Sequence, residues 1–292
     1  MTHSTGPTGE NVYFIDHESG AEMARLLDQD TLLTQEMGGF FSERNNDFSG
    51  IGRVLDIGCG PGGWALGLAV AHPQIEVLGI DISPQMIAYA QMQARTRRLD
   101  NVQFRVMDVL APFDFPDDSF DLVNARLMAF LPTTAWPAYL HKCRRIIRPG
   151  GIYRETETEM NISNSAALDT LDSIFFRALK AAGQAFAPEG GRHLGIVGML
   201  GRLLRDAAFQ HIGHKCYLIE ISAGTEAHHS FCKDWKVFYK LMQPFLIQTR
   251  VTTREEVDRL YEQMLVEMML DTFCGVFPLF TVWGEKPRDV TK

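Results

Sequence analysis

The chain has 292 residues, 46% hydrophobic and 22% charged, enough to bury a full core as one large α/β domain or as a domain with a sizeable insertion. Lys and Arg number 28 against 36 Asp and Glu, a net charge of −8. That balance disfavours a nucleic-acid backbone as the main partner, because phosphate binding is built from clustered basic side chains. The longer apolar stretches, such as Phe273–Phe280, fall well short of the ~20 residues of a membrane span.

In chain order, Met1–Glu10 is polar and carries neither the apolar run of a signal peptide nor the Arg-rich pattern of a transit peptide. Five scattered cysteines without a Cys-x-x-Cys argue against a disulfide framework or zinc site. A cytoplasmic setting is expected. Residues 1–47 read as an N-terminal helical extension, with Ser19 and Glu22 forming a capping box for a helix through about Leu33. Strands and helices then alternate. Arg53–Ile57, Glu76–Ile80, Val102–Met107, Ser119–Ala125 and Gly151–Thr156 read as strands. Gly63–Ala71, Pro84–Arg97 and Trp136–Ile147 read as the helices between them, the second opened by a first-turn proline. This rhythm predicts an α/β fold, a Rossmann-like and mostly parallel sheet with helices on both faces. Helices over Ala166–Phe186 and Ile196–Ala208 and strands over Ile212–Ser222 and Phe277–Trp283 follow. Residues 226–272, rich in Met, Phe and Tyr, separate the last two strands and read as a helical lid standing off the sheet. Pro244 is expected to bend or end its first helix. The main domain is then 48–225 with 273–292.

The run Val54-Leu55-Asp56-Ile57-Gly58-Cys59-Gly60-Pro61-Gly62-Gly63 is the most informative segment. Glycines after a first strand let the backbone turn sharply and approach a ligand at a helix N-terminus. Gly58, Gly60 and Gly63 fit the dinucleotide fingerprint, and Asp81 ends the next strand where a ribose-binding acid belongs. Asp56 separates the candidates: it would repel a pyrophosphate and welcome the sulfonium and ammonium of S-adenosylmethionine.

With Gly79-Ile80-Asp81-Ile82-Ser83-Pro84-Gln85-Met86, Met107-Asp108-Val109, Phe115–Val123 and Arg148-Pro149-Gly150-Gly151 following in order, residues 50–156 resemble the class I S-adenosylmethionine-dependent methyltransferases. The resemblance implies sheet order 3-2-1-4-5-7-6 with the last strand antiparallel, and S-adenosylmethionine as cofactor. It implies that Asp81 holds the ribose hydroxyls, Ile82 packs on adenine and Asp108 accepts from the adenine amino group. The cofactor set is completed by Asp56, Gly58, Gly60, Gly62, Met86, Val109, Asn124 and Tyr13.

An open α/β sheet binds ligands beyond the carboxyl ends of its strands. Asn124, Arg126 and Met128 after strand four, and Glu155, Glu157 and Glu159 after strand five, are therefore candidate acceptor contacts. The three glutamates alternate along a strand, so they share a face, and a solvated strand end is their plainest expectation. The catalytic group is left open, with Glu155, Arg126 and His193 as candidates. No metal is expected, since His211 and His214 would face opposite sides of a strand and His228 and His229 are adjacent. The expected activity is methyl transfer to a small, largely apolar or aromatic acceptor, without a nucleic-acid partner and with homo-oligomerisation left open. The alternatives are a methyltransferase-like cyclase or pericyclase that retains the cofactor, and a non-enzymatic cofactor-binding module.

Overall fold

A computed structural model describes residues 15, 19–159 and 161–288 of the chain. Ser19 caps helix α1 (Gly20–Glu36), its hydroxyl accepting from the Glu22 amide. After a short 3-10 turn at Ser42–Arg44 the chain enters β1 (Arg53–Ile57), α2 (Gly63–Ala71), β2 (Glu76–Asp81) and α3 (Pro84–Thr96). The Ser83 hydroxyl accepts from the Met86 amide at 3.2 Å and Pro84 opens the helix, a cap worth about 1 kcal/mol. Strands β3 (Val102–Val106) and β4 (Phe120–Arg126), α4 (Trp136–Ile146) and β5 (Ile147–Thr158) complete the alternating half. Then come β6 (Ile162–Ser163), α5 (Ala166–Ala181), α6 (Ile196–Asp206), β7 (Gln210–Glu220), α7 (Glu226–Gln248), α8 (Arg254–Met268) and β8 (Gly275–Glu285).

Strands β3, β2, β1, β4 and β5 pair in that order, all parallel. Strand β8 runs antiparallel along β5, and β7 pairs with its other edge. The expected order therefore holds, with β8 as the inserted antiparallel strand. The two-residue β6 was not foreseen; it prolongs the edge that β5 presents to β8. Among the described residues no helix is long and apolar enough to cross a membrane.

Side chains alternate across the sheet, and each face has its own core. Val54, Leu122 and Ile152 pack with α2 and α3 on one face. Leu55, Ile57, Val123, Ala125 and Tyr153 pack with α4 and α6 on the other. A third core joins α5, α7, α8 and the C-terminal part of α1 to β7 and β8. Residues 226–272 thus do not stand off the sheet. Phe231, Trp235, Tyr239, Met242 and Leu246 of α7 are buried in this third core, so the aromatic stripe is largely structural. Helix α7 also runs through Pro244 to Gln248. Proline forfeits one backbone bond there, and the burial of Met242 and Leu246 on either side outweighs the loss.

Candidate functional site

One large cavity opens beyond the carboxyl ends of β1, β2, β4 and β5, where the topology predicts a ligand. Its two ends differ. At one end lies the glycine loop between β1 and α2. Gly58, Gly60 and Gly62 all have positive φ, at 64°, 51° and 86°. A Cβ on Gly60 would meet nothing nearer than Leu26 Cδ1 at 3.6 Å, so the backbone there is bare toward the cavity. A Cβ on Gly62 would strike Phe104 and Ala90 at 2.8 and 2.9 Å. Gly62 therefore serves helix–sheet packing and does not line the cavity, whereas Gly58 and Gly60 do.

Asp81 ties this loop to β2. Its Oδ2 accepts from the Gly60 amide and its Oδ1 from the Ser83 amide, both at 2.9 Å. Ile82, Met86, Asp108 and Val109 line the same end. The Asp108 carboxylate accepts from the Leu110 amide at 2.8 Å, fixing the turn after β3.

Asp56 is 4% exposed and forms part of the cavity wall. It begins a polar ladder across three strands in register. Asn124 donates to Asp56 at 2.7 Å, Arg154 donates to the Asn124 carbonyl at 2.5 Å, and Arg154 pairs with Glu43. Burial raises the Asp56 pKa to about 7, although the Asn124 bond and Arg154 oppose it. Asn124 itself is buried behind Asp56 and does not reach the cavity. It was expected at the cofactor; its place is to orient Asp56. Tyr13 lies outside the described residues.

Helix α1 roofs the cavity through Arg25, Leu26, Gln29, Asp30 and Leu33. Arg126, at the end of β4, pairs with Asp30 and donates to the Thr34 hydroxyl at 3.1 Å. Burial, with the charge of Arg154, lowers its pKa to about 9, so it remains a cation at neutral pH. Arg25 binds Glu22 through two 2.7 Å bonds, reaches Asp234 of α7 at 3.1 Å, and lies over the Phe238 ring. Both cations on the lining are thus matched by acids. No sequence pattern marked Arg25 or Gln29, because the cavity they line forms only when α1 folds over β1 and β4.

The three glutamates at the end of β5, Glu155 and Glu157 within the strand and Glu159 just past it, have separate fates, and none is solvated in the manner expected. Glu159 caps α6, accepting from the amides of Leu194, Gly195 and Val197 at 2.7 to 2.9 Å. Glu155 is fully buried and receives the Tyr153 hydroxyl, away from the cavity. Glu157 is also fully buried but does lie on the cavity wall. His193 is half exposed, 4.0 Å from Glu159, and off the cavity. Of the three catalytic candidates only Arg126 lines the cavity, and it is held in an ion pair.

Opposite the glycine loop the walls are apolar: Phe130, Leu131, Phe175, Leu179, Leu194 and Phe238. Leu194 follows the Gly-rich loop, and Phe175 and Leu179 come from α5. Phe238 is the sole lining residue from α7 and α8 among those described. Among the described residues no group of three His, Cys, Asp or Glu is arranged to hold a metal.

The donor set fits a cationic nucleoside. Asp56, Asp81 and Asp108 present carboxyls to one end, no uncommitted lysine faces them, and Gly60 leaves its backbone bare. A pyrophosphate on the glycine loop would face the carboxyls of Asp56, Asp81 and Asp108, with the lining arginines already paired to acids. The fold is that of the Rossmann-like α/β class, with its cleft at the carboxyl ends of the strands. Residues 54–151 match the family model described as a methyltransferase domain.

The chain is 34% identical over 146 residues to the 27-O-demethylrifamycin SV methyltransferase of Amycolatopsis mediterranei, covering 49% of this chain and 49% of that protein. It is 32% identical over 114 residues to the secondary metabolism regulator laeA of Monascus pilosus, covering 37% of this chain and 27% of that protein. The matches thus span half or less of these curated relatives. Among solved structures, phosphoethanolamine N-methyltransferase 2 of Haemonchus contortus, in complex with phosphomonomethylethanolamine and S-adenosylhomocysteine, superposes with a TM-score of 0.56 at 16% identity. That alignment covers 95% of this chain and 61% of that one. The cyclase SpnF superposes with a TM-score of 0.51 at 18% identity, covering 93% and 97%. These last two likenesses concern the fold.

Proposed function

We propose that the protein transfers a methyl group from S-adenosylmethionine to a small, largely apolar or aromatic acceptor. The observation that carries this reading is the division of one cavity into an acid-rich end on the glycine loop and an apolar end between α5 and α7. When bound, the cofactor supplies a methyl group made electrophilic by its sulfonium. Asp81 and Asp108 are placed for the ribose and adenine, and Asp56 offers a carboxylate to a cationic ligand. Phe175, Leu179, Leu194 and Phe238 exclude water and hold the acceptor by its apolar surface. Most of the catalytic effect asked of the protein is alignment of the two reactants, which is why no acid–base triad is needed.

Incubation with S-adenosylmethionine and a panel of aromatic and other apolar small molecules, read by mass spectrometry, tests this. A product heavier by one methylene supports transfer. The apolar lining also favours a second reading, a cyclase that retains the cofactor; an isomeric product would mark it. Cofactor binding with no product from any acceptor would point to the binding module.

A further inference from the structure

On the β5 side of the cavity, Glu157 is a polar group that alignment of the reactants does not require. Glu157 is fully buried and lies on the cavity wall, and its one side-chain hydrogen-bonding neighbour among the described residues is the Glu155 carboxyl. The backbone turns left-handed at Leu127 (φ 57°) and brings the amides of Met128 and Ala129 toward it. Those amides favour its charged form, yet they complete no bond with it. Burial first, then the carboxyls of Glu155 and Glu159, push its pKa well above the ordinary carboxylate range.

Glu155, two residues back on the same face of β5, is occupied from behind. Its Oε2 takes the Tyr153 hydroxyl, which abuts the Tyr139 hydroxyl at 3.2 Å. Glu155 and Glu157 share a side-chain hydrogen bond that needs a proton on one of them, and this single bond uses one Glu157 oxygen and leaves the other without a partner among the described residues. Two adjacent buried carboxyls cannot both ionise, and an unpaired one is costly in a folded chain. Such a group is tolerable at a cavity wall because a ligand can supply the missing bond there.

We propose that Glu157 is the polar anchor for the acceptor. The acceptor is then an apolar, ring-sized molecule bearing a hydroxyl or amine, and that group donates to the Glu157 oxygen that Glu155 leaves open. Phe175, Leu179 and Leu194 hold the rest of it. This rests on the methyl-transfer reading only in placing the acceptor at this end of the cavity.

The test is calorimetric titration with matched aromatic sets on benzene, naphthalene and biphenyl frames, each as hydrocarbon, phenol and arylamine. It is run with and without S-adenosylhomocysteine. On at least one frame a donor-bearing form should bind tenfold or more tightly than its hydrocarbon, the scale of a buried hydrogen bond. A stronger phenol marks a hydroxyl acceptor, and a stronger arylamine marks an amine. Glu157→Leu should bring the preference within threefold. The conservative Glu157→Gln, which guards against misfolding of the first variant, should cut it at least threefold. Both variants should keep wild-type affinity for S-adenosylhomocysteine. Equal binding of donor and hydrocarbon forms on every frame, or a preference unchanged in whichever variants fold, overturns the inference. Failure of the wild type to bind S-adenosylhomocysteine instead contradicts the methyl-transfer reading, and the cofactor-free titration still decides the role of Glu157.

Discussion

At one end of the cavity a single continuous stretch, from Asp56 to Gly63, sets the shape with its backbone; at the other, α1, α5, the segment around Leu194, α7 and β8 each contribute one or a few side chains. The first end is held by main-chain geometry: positive φ at three glycines, and Asp81 bonded to the Gly60 and Ser83 amides. The second is held by packing and by buried ion pairs, with Asp234 joining Arg25 and Gln29 of α1 to α7. A local backbone device works only with particular residues at particular positions. A wall assembled by packing accepts any side chains of suitable volume, so its composition can be tuned to a ligand without disturbing the fold.

Substitutions should therefore separate the two ends, most sharply at the glycine loop. Gly60→Val should weaken S-adenosylhomocysteine binding by roughly 100-fold or more, a loss of ~3 kcal/mol. The fold should persist, since only Leu26 lies near the new side chain, and the positive φ should cost about 1–2 kcal/mol. Wild-type affinity in calorimetry would mean that the ligand does not lie on this loop.

Asp81→Ala should raise the Kd by about 10- to 100-fold, reflecting charge-assisted bonds of ~1.5–3 kcal/mol each, discounted for replacement by water. Because Asp81 also holds the Gly60 amide, the same variant should lower the melting temperature by a few degrees, on the order of a 1 kcal/mol loss. A folded mutant of unchanged affinity would remove this residue from the site.

On the apolar side, Trp235 and Phe238 are three residues apart on α7 yet should behave differently. Trp235 packs on Phe231 and Phe277, with ring centroids 5.0 and 6.1 Å away, and does not line the cavity. Trp235→Ala should cost about 3–5 kcal/mol in denaturant unfolding and leave the KM values nearly unchanged. Phe238→Ala should raise the acceptor KM by about 3- to 10-fold, from ~1 kcal/mol or so of lost burial, and leave the cofactor KM alone. The reverse pattern would move the acceptor elsewhere. Replacement of residues 226–272 by a linker, attractive if they formed a detached lid, should instead unfold the protein by exposing the third core.

A smaller effect concerns pH. Burial raises Asp56 and Asp172 from 3.8 to about 7, while Tyr239 and Asn161 hold Asp172 by hydrogen bonds that act the other way. The folded chain keeps these protons after the unfolded chain has released them near pH 4. Stability contributed by the two groups therefore falls as pH rises from about 4 to about 7, by at most ~1.4 kcal/mol per pH unit for each. Melting temperature measured from pH 5 to pH 8 should decline over that window, and Asp172→Asn should flatten the decline. A rise with pH, or an unchanged slope in the variant, would contradict the assignment. Cofactor affinity should rise over the same range as Asp56 ionises.

The same contrast decides what could be read in the sequence. β1 and α2 matched their expected bounds, and Asp56, Gly58, Gly60, Asp81, Ile82, Met86, Asp108 and Val109 all line the cavity, because each depends on local spacing along one βα rhythm. Asn124 and Gly62 sit beside that cavity without lining it: strand alternation gives a face, not how far along it a side chain reaches. Glu155 and Glu157 share a face and still differ, one turned to Tyr153 and the other to the cavity. Arg25 and Phe175 carried no local signal, and the aromatic spacing that includes Phe238 did not say which ring faces the cavity, since their meeting depends on long-range packing of three helices.

The most direct test is a crystal structure with S-adenosylhomocysteine bound. The account predicts the ligand along residues 58–60, with its ribose against Asp81 and its adenine between Ile82 and Asp108, leaving Glu157, Phe175 and Phe238 open as the acceptor end. A ligand lying against Glu157 and Phe238 with the glycine loop empty would contradict the division of the cavity on which the proposed function rests.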